Sequence, residues 1–139
     1  MWEGESNDQA WERFLALTVN GRGLCVSREF PHRVKSRIGM RDISVVWLSN
    51  VGREESIRPG DLAGLLELCR SALVDGKVGA ILLEGLEYLV TIHTLPKILE
   101  FLGQVDGLAK EAHATILVPV NPGLLGSSAG SELRQAFPG

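Results

Sequence analysis

The chain has 139 residues, enough for one ordinary domain with a real core and too few for several. Hydrophobic residues make up 45% and charged residues 22%, which excludes disorder over most of the length. A formal net charge of −3 supplies no global field to hold a polyanion, so generic nucleic-acid binding is disfavoured.

The elements follow in chain order. Residues 6–17 predict a helix that Ser6 or Asn7 can cap, with Trp11, Phe14, Leu15 and Thr18 on one face. Asn20-Gly21-Arg22-Gly23 breaks the chain before a short apolar strand, Leu24-Cys25-Val26, ending near Ser27. Pro31 opens a second helix that runs to Ile38, where Gly39 stops it. Ile43-Ser44-Val45-Val46-Trp47-Leu48 is β-branched and aromatic and reads as a second strand; residues 49–56 read as a polar loop. After Pro59-Gly60-Asp61, the residues Leu62, Leu65, Leu66, Cys69 and Leu73 recur at helical spacing. Val78-Gly79-Ala80-Ile81-Leu82-Leu83 is apolar without alternation, as in a parallel strand covered on both faces.

Residues 86–90 predict a short helical turn. Thr94 is placed to cap a longer helix carrying Leu95, Ile98, Leu99, Leu102, Val105 and Ala109 on one face. Gly103 and Gly107 inside it point to close backbone packing. Residues 114–120 read as the fourth strand, Asn121-Pro122-Gly123 as a turn, 126–130 as a flexible loop and 131–137 as a last short helix. Helices and strands alternate, and parallel strands require crossovers of this length. The expected fold is therefore a three-layer α/β/α domain over residues 21–139, with about four mainly parallel strands. Residues 1–20 form an N-terminal helical extension.

Right-handed crossovers put every strand's carboxyl end on one rim, where open α/β sheets bind ligands. Arg28, Ser49, Glu84, Glu87 and Asn121 fall there and form the candidate ligand-binding set. A carboxylate directly after an apolar strand, as at Glu84, can organise a metal or activate water in nucleotide hydrolysis. Its usual companion is missing: no Gly-x-x-x-x-Gly-Lys-Ser/Thr occurs, and Gly76-Lys77 is followed by Val78. The glycine-rich residues 126–130 before a helix could present amides to an anion. His32, His93 and His113 are scattered, and Gly-x-Ser-x-Gly is absent, so no catalytic residue, metal ligand or cofactor is assigned. Arg28, Arg33, Lys35, Arg37 and Arg41 form either a solvated helix face or a patch for an acidic partner. Trp2, Trp11 and Phe14 put large aromatics on the first helix, which must either cover the sheet's flank or pair with another chain.

Cys25 and Cys69 each sit in an apolar segment, with no Cys or His at metal-ligand spacing, and point to a reducing compartment. The acidic start is no secretory leader and no apolar run reaches membrane-spanning length, so a cytoplasmic location is expected.

Several stretches resemble an archaeal family known as domain of unknown function 835. They are Gly23-Leu24-Cys25-Val26-Ser27-Arg28 with Pro31, Val46-Trp47-Leu48-Ser49, and Ile57-x-Pro59-x-Asp61-Leu62. Further along come Ile81-Leu82-Leu83-Glu84-Gly85-Leu86-Glu87-Tyr88-Leu89 and Leu117-Val118-Pro119-Val120-Asn121-Pro122. The likeness covers residues 21–137, and Gly-Leu-Glu-Tyr-Leu is its most specific element. Glu84 and Asn121 stand where Asp would be usual. The resemblance implies a RecA/KaiC-like core without a phosphate loop, of a kind found beside sensor and receiver modules.

The leading expectation is thus a non-enzymatic signalling or protein-interaction domain. It would capture a protein partner or a second copy of itself through Trp2, Trp11 and Phe14. The alternative is a sensor of a nucleotide or other small anion at the strand rim. A metal-dependent phosphohydrolase using Glu84 comes last, because one carboxylate is too few ligands for a metal.

Overall fold

The computed structural model describes residues 7–19, 21–39, 41–74 and 78–120. Trp2, Ser6, Asn121, the loop expected at 126–130 and the helix expected at 131–137 lie outside them.

The two most apolar strands form the centre. Every residue of β1 (Gly23–Ser27) and of β4 (Ala80–Leu83) is buried. Their neighbours are β2 (Ile43–Leu48), β3 (Ser56–Ile57) and β5 (Thr115–Leu117). The sheet has five strands in the order β3-β2-β1-β4-β5, and all pairs are parallel. Val26 stands between Val46 and Leu83 in the register. The expected α/β/α architecture is therefore present, with one strand more than the sequence pattern showed. That strand is β3, two residues long, inside the segment read as a polar loop. It is held by Trp47 N–H to Glu55 O at 2.6 Å and Ser49 N–H to Ile57 O at 3.0 Å. Two residues carry no periodicity, which is why the pattern missed it. β4 and β5 are also shorter than the apolar runs that contain them, and Val118, Pro119 and Val120 stay buried beyond the last ladder partner.

Side chains alternate across a strand, so each strand feeds two cores. Leu24, Val26, Ile81, Leu83 and Ile116 face α3 (Leu62–Leu73), α4 (Leu86–Ile92) and α5 (Leu95–Glu111). Cys25, Ala80, Leu82 and Leu117 face α1 (Asn7–Leu17) and α2 (Pro31–Ile38). Ala10, Trp11 and Phe14 of α1 are buried against that second face, so the segment read as an extension supplies part of the core. The approach is close: a Cβ on Gly23 would meet Thr18 Cγ2 at 2.8 Å and Phe14 Cζ at 2.9 Å.

The helix ends follow local chemistry. Pro31 begins α2, and Gly39 ends it at φ 69°. Asp61 caps α3 by accepting from Gly64 N–H at 2.9 Å. Thr94 occupies the cap position of α5 but makes no side-chain capping bond, contrary to expectation. The turn expected after Gly85 is a seven-residue helix, α4. A Cβ on Gly103 or Gly107 would meet nothing within 4 Å, so neither serves close packing. The carboxyl end of α5 is a Schellman motif: His113 N–H bonds Lys110 O at 3.2 Å and Ala114 N–H bonds Ala109 O at 2.8 Å. His113 sits at the left-handed position of that motif, φ 56°, where glycine is the unstrained residue.

His113→Gly should therefore raise stability by about 1 kcal/mol. Gly103→Ala should add up to about 1 kcal/mol through helix propensity. Urea unfolding midpoints with unchanged slopes check both, and a drop in either midpoint contradicts the account of that helix.

Candidate functional site

The direction in which the chain adds strands to the sheet reverses between β1 and β4. The β1 to β2 connection passes through α2 on one face, while α3 returns to β4 on the other. Adjacent strands whose connections leave in opposite directions open a crevice at their carboxyl ends. Glu84 N–H extends the ladder there by bonding Val26 O at 2.8 Å.

Arg28 leaves β1 into this crevice and lies over the ring of Tyr88 of α4, its guanidinium carbon 3.5 Å from the ring centroid. Gly85 makes that placement possible. It has φ 103°, and a Cβ there would meet Arg28 Cγ at 3.0 Å, Leu48 Cδ2 at 3.2 Å and Arg28 Cδ at 3.3 Å. Backbone conformation and side-chain space both require glycine. The other side of Arg28 is fixed by Trp47, whose Nε1–H donates to the Arg28 carbonyl at 3.3 Å. Phe30 packs edge-on against Trp47 at 5.4 Å. His93, just past α4, donates Nε2–H to the Pro59 carbonyl at 2.9 Å and so ties α4 to the loop before α3. Between these groups lies an open cavity of about 420 Å³, whose lining includes Arg28, Trp47, Ser49, Asn50, Pro59 and Tyr88.

A larger concavity, about 600 Å³, lies at the opposite end near Thr18, Arg22, Arg41 and Asp42. Its cations are already engaged: Arg22 pairs with Asp42 at 2.9 Å, and Arg41 donates to the Leu15 carbonyl. Arg28 is exposed and has no carboxylate within ion-pair distance among the described residues.

Of the five candidate ligand-binding residues, the structure brings together Arg28 and Ser49. Glu87 is half-buried in the first turn of α4, is already partnered within the chain and does not line the cavity. Asn121 lies outside the described residues. Glu84 points to the other face of the sheet, with Leu82, and its Oε2 accepts from Trp11 Nε1–H at 3.1 Å. Its Oε1 is buried without a partner among the described residues. Asn50 and Tyr88 follow the second and third strands and so were expected on the rim, though outside the ligand-binding set; Trp47 was not expected in the cavity.

Trp11 and Phe14 are 5% and 0% exposed, so of the two roles the sequence left open they take the covering of the sheet. They present no surface to a partner. The basic residues of α2 do not line the cavity with Arg28. Arg37 pairs with Glu29 at 3.5 Å and lies over Trp11 at 5.3 Å.

Among the described residues, no three His, Cys, Asp or Glu side chains converge as a metal site. Both cysteines are free and buried. Burial pushes the Cys69 thiol up from 9.0 to about 12. Burial first, then the Glu84 and Glu29 carboxylates, push Cys25 higher, against a smaller lowering by Arg37. Neither thiol is a nucleophile at neutral pH.

Sheet order, switch-point crevice and preset arginine define a doubly wound α/β domain with a basic, aromatic-walled rim. The chain belongs to the family described as protein of unknown function (DUF835), whose model matches residues 4–137. No curated protein matches the chain. Among the described residues no helix is long and apolar enough to cross a membrane.

Trp11→Phe should cost about 1–3 kcal/mol, because it strips the Glu84 carboxylate of its donor. Glu84→Gln in that background should recover part of the loss, since a neutral amide is cheaper to leave unpaired. Chemical unfolding of the four-member cycle tests this; strictly additive losses would refute the coupling.

The thiols make a second prediction. Their folded values lie above the ordinary 9.0, so the folded state holds these protons more tightly than the unfolded state. Their contribution to stability is fully present below pH 9 and declines as alkali ionises the unfolded thiols. A thiol-specific disulfide reagent at pH 8 should leave both unmodified until the protein unfolds. Rapid native labelling would show that the burial is not maintained.

Proposed function

We propose that this chain is a non-enzymatic regulatory module whose recognition surface is the carboxyl rim of the sheet around Arg28. The observation that carries the proposal is the exposed guanidinium, held over the Tyr88 ring with no carboxylate partner among the described residues. Fixing the rotamers of a free arginine costs up to about 2 kcal/mol, and the Tyr88 contact meets part of that cost before any ligand binds. The non-enzymatic part is supported by Glu84. The acid directly after β4 turns away from the cavity and is taken up by Trp11. A signalling role and a RecA/KaiC-like ancestry rest on the resemblance to phosphate-loop-lacking cores found beside sensor and receiver modules. Two buried free thiols fit a reducing, cytoplasmic setting.

A second reading is a protein partner, or a second copy of the chain, seated on the same rim. Phe30 and Val51 favour it, being 47% and 56% exposed close to the cavity.

Thermal unfolding against a panel of nucleotides, cyclic dinucleotides and simple organic anions, with and without magnesium, tests the main reading. A ligand that binds only the folded state raises stability by about 2.7 kcal/mol at a hundredfold excess over its Kd. The shift should vanish in Arg28→Ala and persist in Glu84→Gln. A ligand whose shift ignores Arg28 would place recognition elsewhere and overturn the proposal.

A further inference from the structure

The rim cavity selects among anions by what it lacks as well as by what it holds. We infer that it takes a small organic anion with one phosphate or carboxylate group on a flat or apolar body, the size of a nucleoside monophosphate. This rests on the rim being the recognition surface.

The anionic end is set by Arg28. Its guanidinium carbon is held 3.5 Å from the Tyr88 ring centroid, and a guanidinium so placed offers N–H donors that can grip an oxyanion in bidentate fashion. Among the described residues, Arg28 is the one cationic side chain in the lining. A triphosphate would bring several charges to one guanidinium, and the described lining holds no acidic group for magnesium. A single anionic group matches the charge available.

The body of the ligand is set by the remaining wall. Leu48, Val51 and Pro59 line the same cavity and offer nothing to a bare inorganic ion. Ser49 and Asn50 add short polar groups at its edge. Apolar wall with a few convergent polar groups is how proteins hold small organic ligands, and about 420 Å³ lies within the usual size of such sites. Tyr88 acts as a positioning residue, since it holds the guanidinium in place.

Calorimetric titration of the whole chain tests the inference with five probes: adenosine monophosphate, adenosine triphosphate with magnesium, indole-3-acetate, inorganic phosphate and adenosine. The monophosphate or the indole carboxylate should bind at least tenfold more tightly than phosphate or adenosine, and no more weakly than the triphosphate. Whichever of the two binds tells whether phosphate or carboxylate is the preferred anion. Arg28→Ala should abolish the binding. Arg28→Lys and Tyr88→Ala should weaken it about tenfold or more, and Tyr88→Phe should leave it unchanged, because the ring face is kept. Circular dichroism of each unliganded variant separates lost binding from lost folding. Inorganic phosphate binding as tightly as the ring-bearing anions overturns the organic-ligand inference and leaves the Arg28 rim standing. A clear preference for the triphosphate overturns the single-anion inference. No binding by any probe overturns the ligand class, while recognition at the rim then rests on the wider panel or a protein partner.

Discussion

The constraint on which everything else depends is the burial of β1 and β4 on both faces. A strand pair with no polar residue between Leu24 and Val26, or between Ala80 and Leu83, has no side to give to water. It must be covered twice. α3, α4 and α5 cover one face. On the other, α2 has only eight residues and buries only Pro31, Val34 and Ile38, which cannot cover the sheet alone. α1 completes that layer with Ala10, Trp11 and Phe14. This is why the aromatic first helix turns inward, and why the small residue Gly23 stands where it packs.

The same alternation of side chains decides the chemistry at the strand ends. Arg28 is two residues past Val26 and goes to the α4 side. Glu84 is two residues past Leu82 and goes to the α1 side. The sheet therefore separates the cation from the acid. A hydrolytic site needs such groups to converge on one reacting centre. Here the acid becomes part of the packing between α1 and the sheet, bonded to the indole of Trp11. The cation lies exposed on the cavity side.

Much of the fold was legible because helix and strand periods were clean. Leu62, Leu65, Cys69 and Leu73 mark one helix face, and the run ending at Leu83 marks a doubly buried strand. Pro31 and Gly39 bracket α2 as their backbone preferences dictate. What escaped has specific causes. β3 is two residues long and is made by pairing with Trp47 and Leu48, a tertiary fact with no local signal. The roles of Gly103 and Gly107 were misread because a glycine in a helix looks the same in sequence whether it faces a neighbour or water. His113 in a glycine-like conformation is invisible to periodicity. For the site, topology put Arg28 and Ser49 on one rim. Which face Glu84 takes was not legible, since parity along a strand gives relative orientation and not the identity of the helix above it.

The rim differs from the larger concavity at the amino ends of the strands in the state of its cations. Arg22 and Arg41 are spent on Asp42 and on the end of α1, so a ligand there would have to displace an ion pair or uncap a helix. At the rim no ion pair among the described residues holds Arg28. Gly85 leaves the space, Tyr88 supplies the ring beneath the guanidinium, and Trp47 anchors the backbone of Arg28 itself. Each of these lowers the ordering cost that an arginine otherwise meets on binding. His93 contributes at one remove by fixing α4 to the Pro59 loop, which keeps Tyr88 and the apolar wall at constant separation. The Gly-Leu-Glu-Tyr segment after β4 thus has a physical reading. Its glycine and tyrosine hold an arginine from the neighbouring strand, and its glutamate takes no part in the cavity.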